Sequence, residues 1–431
     1  MSGLPTGWVE VAIGDVCRVV GGSTPKTSVD EYWDGPIPWV TPDDLSKDRS
    51  QYVTTGRRSI SQAGYDSCST QMLPPGSVLY TSRAPIGYVA IARNDLCTNQ
   101  GFKSFVLPER LDSRFVYWQL IWATPMIKDL GSGTTFKEIS GKVAGKIPLR
   151  VAPRAEQDRI VAAIEEQFSR LDAAEASLQR AKRNVERMRR AVLAEAFPRG
   201  DELPTGWVET TIGSVISPAG ERSTPGADDA RHYIGLEHIE AHTTRILGSQ
   251  LASQIRSSAV SFQKDSVLYG RMRPYLNKVC LAPFDGIGSP ELIVLPPSLG
   301  IRPRFLLYRI SHTDFVSFAM KHIEGDRPRV KWNQLADFPI DLPPVAEQDR
   351  IVAAIEEQFS ILDSLFAAID HSLVRSAHLR RAILEQAFTG RLVPQNPSDE
   401  PASALLERIE QVRRDNLAAS KTKKGKVATP R

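Results

Sequence analysis

The sequence predicts an α+β chain built twice. Each half holds a mixed α/β domain followed by one long helix, in a pseudo-two-fold tandem repeat. Three observations carry this. AEQDRIVAAIEEQFS occurs at 155–169 and again, letter for letter, at 346–360. LPTGWVE at 4–10 returns at 203–209, and SVLY at 77–80 returns at 266–269, in the same order. An apolar stripe at helical spacing then runs on from each copy of the fifteen-residue repeat. A repeat of this length is a duplication of whole domains rather than a short-period solenoid.

The elements follow in order. Residues 1–152 and 199–343 are rich in Gly, Pro, Ser and Thr and carry short β-branched runs. These are SVLYTS, YVAIA and KSFVLP in the first block, and SVLYG, KVCLA and ELIVLP in the second. Such runs between turn residues read as strands, with helices expected over 113–127 and 304–311. The segments 153–198 and 344–393 read as the long helices. Ile160, Ile164, Phe168, Leu171, Leu178, Ala181, Val185, Met188 and Val192 form the first stripe. Ile351, Ile355, Phe359, Leu362, Leu365, Ile369, Leu379 and Ile383 form the second. Spacings of three and four, with one gap of seven in the first stripe and one of ten in the second, make these heptad-like. Pro153 and Pro344 precede the helices and Pro198 follows the first, where proline punctuates helices. Each helix is roughly 60 Å long at 1.5 Å per residue. Packing the stripes on each other removes both from water; the alternative is that each helix covers its own core. The tail, 394–431, is expected to hold a short helix over 402–417 and to end in a disordered basic run, KTKKGKVATPR.

Bulk numbers exclude several classes. With 431 residues the chain is long enough for two or three cores. Lys and Arg total 54 against 50 acids, a net charge of +4, so any anion-binding surface is a local patch. No apolar run approaches the roughly 20 residues of a membrane helix. MSGLPTGWVE lacks the pattern of a signal peptide, and Cys17, Cys68, Cys97 and Cys280 form no CxxC pair. A cytoplasmic protein with reduced thiols is expected, and no metal or disulfide framework.

Catalytic motifs are missing. The GK pairs at Gly141, Gly145 and Gly425 lack the following Ser or Thr of a phosphate loop. No acid stands two residues before a lysine, so the D/E-x-K part of a nuclease site is absent. No [DNS]PP[YFW] stretch of an amino-methyltransferase and no GxSxG elbow occurs. His238 and His242 in HIEAH have metal-ligand spacing but no third ligand. The expected catalytic residues are none, and the metal ligands none.

Polar, basic clusters remain, at matching places in the two blocks. TSRAPIG holds Arg83, TNQGFKS holds Asn99, Gln100 and Lys103, and GSGTTFKEIS holds Lys137. In the second block GRMRPYLNK holds Arg271, Arg273, Asn277 and Lys278, and EGDRPRVKWNQ holds Arg327, Arg329, Lys331, Trp332 and Asn333. Arg and Lys suit guanine edges, Asn and Gln suit adenine, and all hold phosphates. Taken singly, each reads more simply as a solvated or structural residue. Two matched domains held at a fixed spacing suit a target with two half-sites, or two copies of one partner.

The ordered set LPTGWVEVAIGDV, GGSTPKT with YWDGPIPWVTPDDL, SRAPIGYVAIA, TNQGFKSF and PPVAEQDRIVAAIEEQF resembles the specificity (S) subunit of Type I restriction-modification systems, to about Pro394. The resemblance implies two target recognition domains, each reading one half of a split double-stranded DNA target. It implies that the long helices form an antiparallel coiled coil that sets the spacer and docks two modification subunits. Those partners would bind S-adenosylmethionine and methylate adenine, and restriction subunits would add ATP- and Mg2+-dependent translocation and cleavage. The chain itself would catalyse nothing and hold no cofactor. SRAPIG faces GRMRPY and GGSTPKT faces AGERSTP, so two different half-sites are expected. The residues assigned to DNA are Arg83, Lys103 and Lys137 in the first domain, and Arg271, Arg273, Lys278, Arg329 and Lys331 in the second. The coiled-coil seam is assigned to Ile160, Ile164, Leu171, Leu178 and Val185 against Ile351, Ile355, Leu362, Ile369 and Ile383. The alternatives are a coiled-coil adaptor without sequence-specific DNA binding, a self-sufficient DNA enzyme, and the S subunit of a methylation-only system.

Overall fold

The computed structural model describes residues 3–83, 85–131, 138–197, 203–321, 323 and 328–426, with side chains to 415 in the last helix. The chain forms two compact units, Met1–Ala176 with Leu373–Arg431, and Ser177–Ser372. The boundaries cut both long helices, so each unit owns one mixed domain and a length of each helix.

In the first unit the strand Val9–Ala12 pairs antiparallel with Pro148–Val151, Val9 opposite Val151. A five-stranded sheet runs in the order Arg18–Gly21, Lys103–Val106, Val78–Tyr80, Val89–Ala92, Tyr52–Val53. A smaller sheet holds Arg58–Ile60, Trp33–Val40 and Cys97–Thr98. The expected helix over 113–127 is Ser113–Asp129, started by the Asp112 carboxylate accepting from the Arg114 N–H. Its apolar face, with Phe115, Val116 and Leu120, is fully buried. The second unit has a similar terminal strand pair and central trio, but its five-stranded sheet is built from other strands, in the order Arg222–Ser223, Ala259–Phe262, Gly286–Gly288, His232–Ile234, Gln250–Leu251. Val208–Thr211 pairs with Pro339–Leu342. Val267–Gly270 is flanked by Val279–Leu281 and Leu292–Leu295, and the expected helix over 304–311 is Pro303–Ser311. All six β-branched runs named above supply strands.

The long helices are Arg154–Ala196 and Val345–Phe388. The Gln in each copy of the repeat makes the same kind of contact. Gln157 is fully buried; its Oε1 accepts from the Asp112 N–H at 3.3 Å and its Nε2 donates to the Ala152 carbonyl at 2.8 Å. Gln348, also fully buried, accepts from the Arg302 N–H at 2.7 Å and donates to the Pro343 carbonyl at 3.0 Å. One side chain thus pins the start of each long helix to its own domain. Gln348→Leu strands those backbone groups, and a loss of about 1–3 kcal/mol is expected. Denaturant unfolding of the variant checks this; an unchanged midpoint refutes it.

Within each unit the two helices run in opposite directions. In the first, Ile160, Ile164 and Phe168 share a buried cluster with Ile383, Leu384 and Phe388. Arg380 pairs with Asp172, lies 3.2 Å from Glu175, and stands over the Phe168 ring. In the second, Lys182 meets Asp370 at 2.7 Å, and Arg189 pairs with Asp363 and covers Phe359. Of the assigned seam residues, Ile160, Ile164, Val185, Ile355, Leu362, Ile369 and Ile383 are buried, and Leu171, Leu178 and Ile351 are half-buried. Met188, Leu365 and Leu379 correct the longer stripe: they are exposed, at 55%, 47% and 43%. A helix of 3.6 residues per turn drifts off a seven-residue repeat, and part of the contact here is made by ion pairs instead.

The tail helix is Ala402–Lys426, longer than the expected 402–417. Ala402, Leu405 and Ile409 join the core of the first domain, and the Ala402 N–H donates to the Gly7 carbonyl at 2.9 Å. No described helix is long and apolar enough to cross a membrane.

Candidate nucleic-acid interface

Each domain brings three separated segments to one junction by main-chain hydrogen bonds. In the first, the Ser82 N–H donates to the Gly101 carbonyl at 2.8 Å, and the Ile139 N–H donates to the Ser82 carbonyl at 2.9 Å. In the second, the Arg271 N–H donates to the Glu291 carbonyl at 2.9 Å, and the Val330 N–H donates to the Arg271 carbonyl at 3.0 Å. The bridges Arg83 to Glu138 and Met272 to Arg329 complete the correspondence. The backbone therefore matches Ser82 with Arg271 and Arg83 with Met272. The pairing of SRAPIG with GRMRPY from sequence is one residue out.

The same junction carries different charges in the two domains. In the first, Arg83 is exposed, and Lys103 lies 3.9 Å from the Glu138 carboxylate. Burial holds the Lys103 ammonium below the usual lysine range; Glu138 opposes this and Arg83 adds to it. Beside them the Gln100 side chain meets the Thr24 hydroxyl, and Gly22 passes the 98–99 backbone so closely that a Cβ would strike the Thr98 and Asn99 carbonyls. Lys137 and Arg327 lie outside the described residues.

In the second domain Glu291 gathers two arginines. Its carboxylate lies 2.9 Å from the exposed Arg329 guanidinium and 3.5 Å from that of half-buried Arg271. Arg273 is exposed in the left-handed region at φ 51°, with its N–H donating to the Pro328 carbonyl at 2.8 Å. That backbone costs a non-glycine residue energy and is held by the surrounding bonds. Lys331 is exposed at the start of the short helix Trp332–Leu335. Lys278 and Asn277 turn inward instead. Lys278 Nζ donates to the Leu236 carbonyl at 2.6 Å, and buried Asn277 Nδ2 donates to the Ser311 carbonyl at 2.7 Å. The structure thus groups Arg83 with Lys103, and Arg271 with Arg329, and gives Lys278 an anchoring contact inside the domain. Glu138 and Glu291 were missed because a search for anion-binding residues passes over carboxylates.

His238 uses Nδ1 to accept from the Gly235 N–H at 2.9 Å, a capping contact. Among the described residues no group of three or more His, Cys, Asp or Glu is placed to hold a metal ion.

Residues 5–183 match the family described as "Type I restriction modification DNA specificity domain". This part of the chain is therefore a Type I DNA specificity domain. It is 33% identical over 233 residues to the Type I restriction enzyme MjaIX specificity subunit of Methanocaldococcus jannaschii, covering 49% of this chain and 52% of that protein. The chain thus spans about half the length of that relative. It is 25% identical to the EcoDI specificity subunit of Escherichia coli, over 95% of this chain and 96% of the relative. Among solved structures, one described as showing complex assembly and conformational transition of the type I R-M system aligns with a TM-score of 0.74 at 20% identity. It covers 91% of this chain and 100% of that one. The HsdS subunit from Thermoanaerobacter tengcongensis aligns with a TM-score of 0.54 at 20% identity, over 90% and 98% of the two chains. At that identity the likeness is one of fold.

Proposed function

We propose that this chain is a Type I specificity subunit, the non-catalytic DNA reader of its complex, each domain reading one half of a bipartite, asymmetric target. The observation that carries this is the duplicated junction: one backbone arrangement, with Ser82, Gly101 and Glu138 in the first domain and Arg271, Glu291 and Arg329 in the second. A shared frame with different side chains suits two half-sites of different sequence. The long helices form an antiparallel coiled coil that sets the spacer and docks two modification subunits. S-adenosylmethionine binds to those partners, and ATP and Mg2+ to restriction subunits where these join.

The test is co-expression with the modification subunit in a methylation-free host, followed by genome-wide mapping of modified adenine. A split, asymmetric motif that vanishes without this chain is expected. A stable complex with no new methylation overturns the reading in favour of a protein-binding adaptor.

The docking face has candidates of its own. Ile361 and Leu365 stand one turn apart on the second long helix, 54% and 47% exposed. Exposed apolar pairs on an otherwise charged helix suit a partner surface. Ile361→Asp with Leu365→Asp is expected to abolish co-purification of the modification subunit while leaving the melting temperature within about 2 °C, since exposed substitutions change stability little. Retained co-purification refutes this placement.

A further inference from the structure

The second domain carries a half-buried carboxylate where an anion-binding surface should avoid one. Glu291 would repel phosphate, and its side chain is only 20% exposed. It is not there to hold the backbone junction. The first domain makes the equivalent main-chain bond with Gly101, which has no side chain at all. What Glu291 does instead is face two guanidiniums, Arg271 at 3.5 Å and Arg329 at 2.9 Å, brought in from segments far apart in sequence.

We propose that Glu291 is a specificity-positioning residue, holding Arg271 and Arg329 as one oriented unit that reads guanine in the half-site of the second domain. The proposal rests on the DNA-reading function above. Two arginines side by side repel each other, and a shared carboxylate removes that repulsion. It also restricts their rotamers, which matters little for a phosphate contact and much for a base edge. Phosphate asks only for positive charge nearby, whereas guanine O6 and N7 ask for a planar donor pair at a set angle. Arg329, held at 2.9 Å, presents its remaining N–H groups with less entropy to lose, while Arg271 Nε and the Glu291 Oε2 facing it at 3.5 Å are buried without a hydrogen-bond partner, so that contact is one of charge alone. Among the described residues the first domain shows no such fork: its carboxylate, Glu138, enters from a different segment and meets a lysine. The two half-sites are therefore read by different chemistry on the same frame.

The experiment compares wild type, Glu291→Gln and Glu291→Ala, each co-expressed with the modification subunit, by mapping modified adenine genome-wide. The glutamine keeps size and an acceptor oxygen but loses the charge. In both variants the half-site of the first domain is expected to stay intact. In the other half, preference at guanine-bearing positions should fall roughly 10- to 100-fold, the range of one lost bidentate base contact. Thermal melts and co-purification of the modification subunit confirm that each variant is folded and assembled. An unchanged motif in both variants overturns the proposal, as does uniformly weaker methylation of an unchanged motif, which marks phosphate contacts only. A wild-type complex that yields no split motif overturns the DNA-reading function and this proposal with it.

Discussion

Leu362→Pro is expected to leave the chain unable to assemble with its modification subunit and to abolish adenine methylation. Leu362 is buried inside the helix Val345–Phe388, next to Asp363, which pairs with Arg189 of the other long helix. Proline removes the backbone donor at 362 and drives its ring against the carbonyl of Gln358, at a cost of about 3 kcal/mol or more. The lost leucine contacts add to this. Above all, the kink turns every residue beyond it off its partners. Asp363 with Arg189 and Asp370 with Lys182 lie on that stretch, and the turn just before it carries Phe359 against Tyr308, so the damage reaches the second domain as well. Leu362→Ala is the control, because it makes a cavity without breaking the helix. It should lower the melting temperature and keep the complex. Size-exclusion chromatography of the co-expressed proteins separates the two. An assembled, methylating Leu362→Pro complex would sink the helical-spacer model.

The legibility of this molecule divides by the kind of signal. The helices stood out because a stripe at constant spacing accumulates over forty residues; expected segments 153–198 and 344–393 became Arg154–Ala196 and Val345–Phe388. The strands were legible because each β-branched run is bounded by turn residues. The mispacking of Met188, Leu365 and Leu379 was not, because periodicity alone does not tell which turns are closed by Arg380 or Lys182 ion pairs. The candidate interface was half legible. Arg83, Lys103, Arg271 and Arg329, singled out by charge and position, stand at the two junctions. Their partners Glu138 and Glu291 come from distant segments, and only the folded junction brings them near. Lys278 and Asn277 show the opposite error. They sit in a polar run that looks exposed, yet each satisfies a backbone carbonyl, at Leu236 and Ser311.

The buried ion pair beneath that polar run sets the other large expected effect. Arg309 is 6% exposed; its guanidinium donates to both Asp314 oxygens, at 2.8 and 3.0 Å, and stands over the Phe338 ring. Burial pushes the Asp314 carboxyl up, but hydrogen bonds from His312 and Arg309 and the Arg309 charge outweigh it and hold the group well below the usual carboxylate range. Arg309→Met keeps much of the volume and takes away the guanidinium that meets both carboxylate oxygens, leaving His312 as a partner, so a loss of up to about 3 kcal/mol is expected. Arg309→Met with Asp314→Ala together should recover part of that, because the buried carboxylate that has lost its guanidinium is gone as well. The sign of the pH dependence follows from the depressed pKa. The Asp314 contribution is fully present above the unfolded carboxylate value of about 3.9 and is lost as pH falls below it toward the folded value. Wild type should therefore lose stability on acidification through that window more steeply than the double variant; parallel curves would show that the pair contributes nothing. The consequence extends to the interface. Ser311 lies between Arg309 and Asp314 in the chain, and its carbonyl holds Asn277, the left-handed residue that closes the turn after Arg273. Loosening the ion pair frees that turn, so Arg309→Met should weaken recognition by the second domain at temperatures where the chain is still folded. Motif mapping at the lowest permissive growth temperature reads that loss, with the half-site of the first domain as the internal standard.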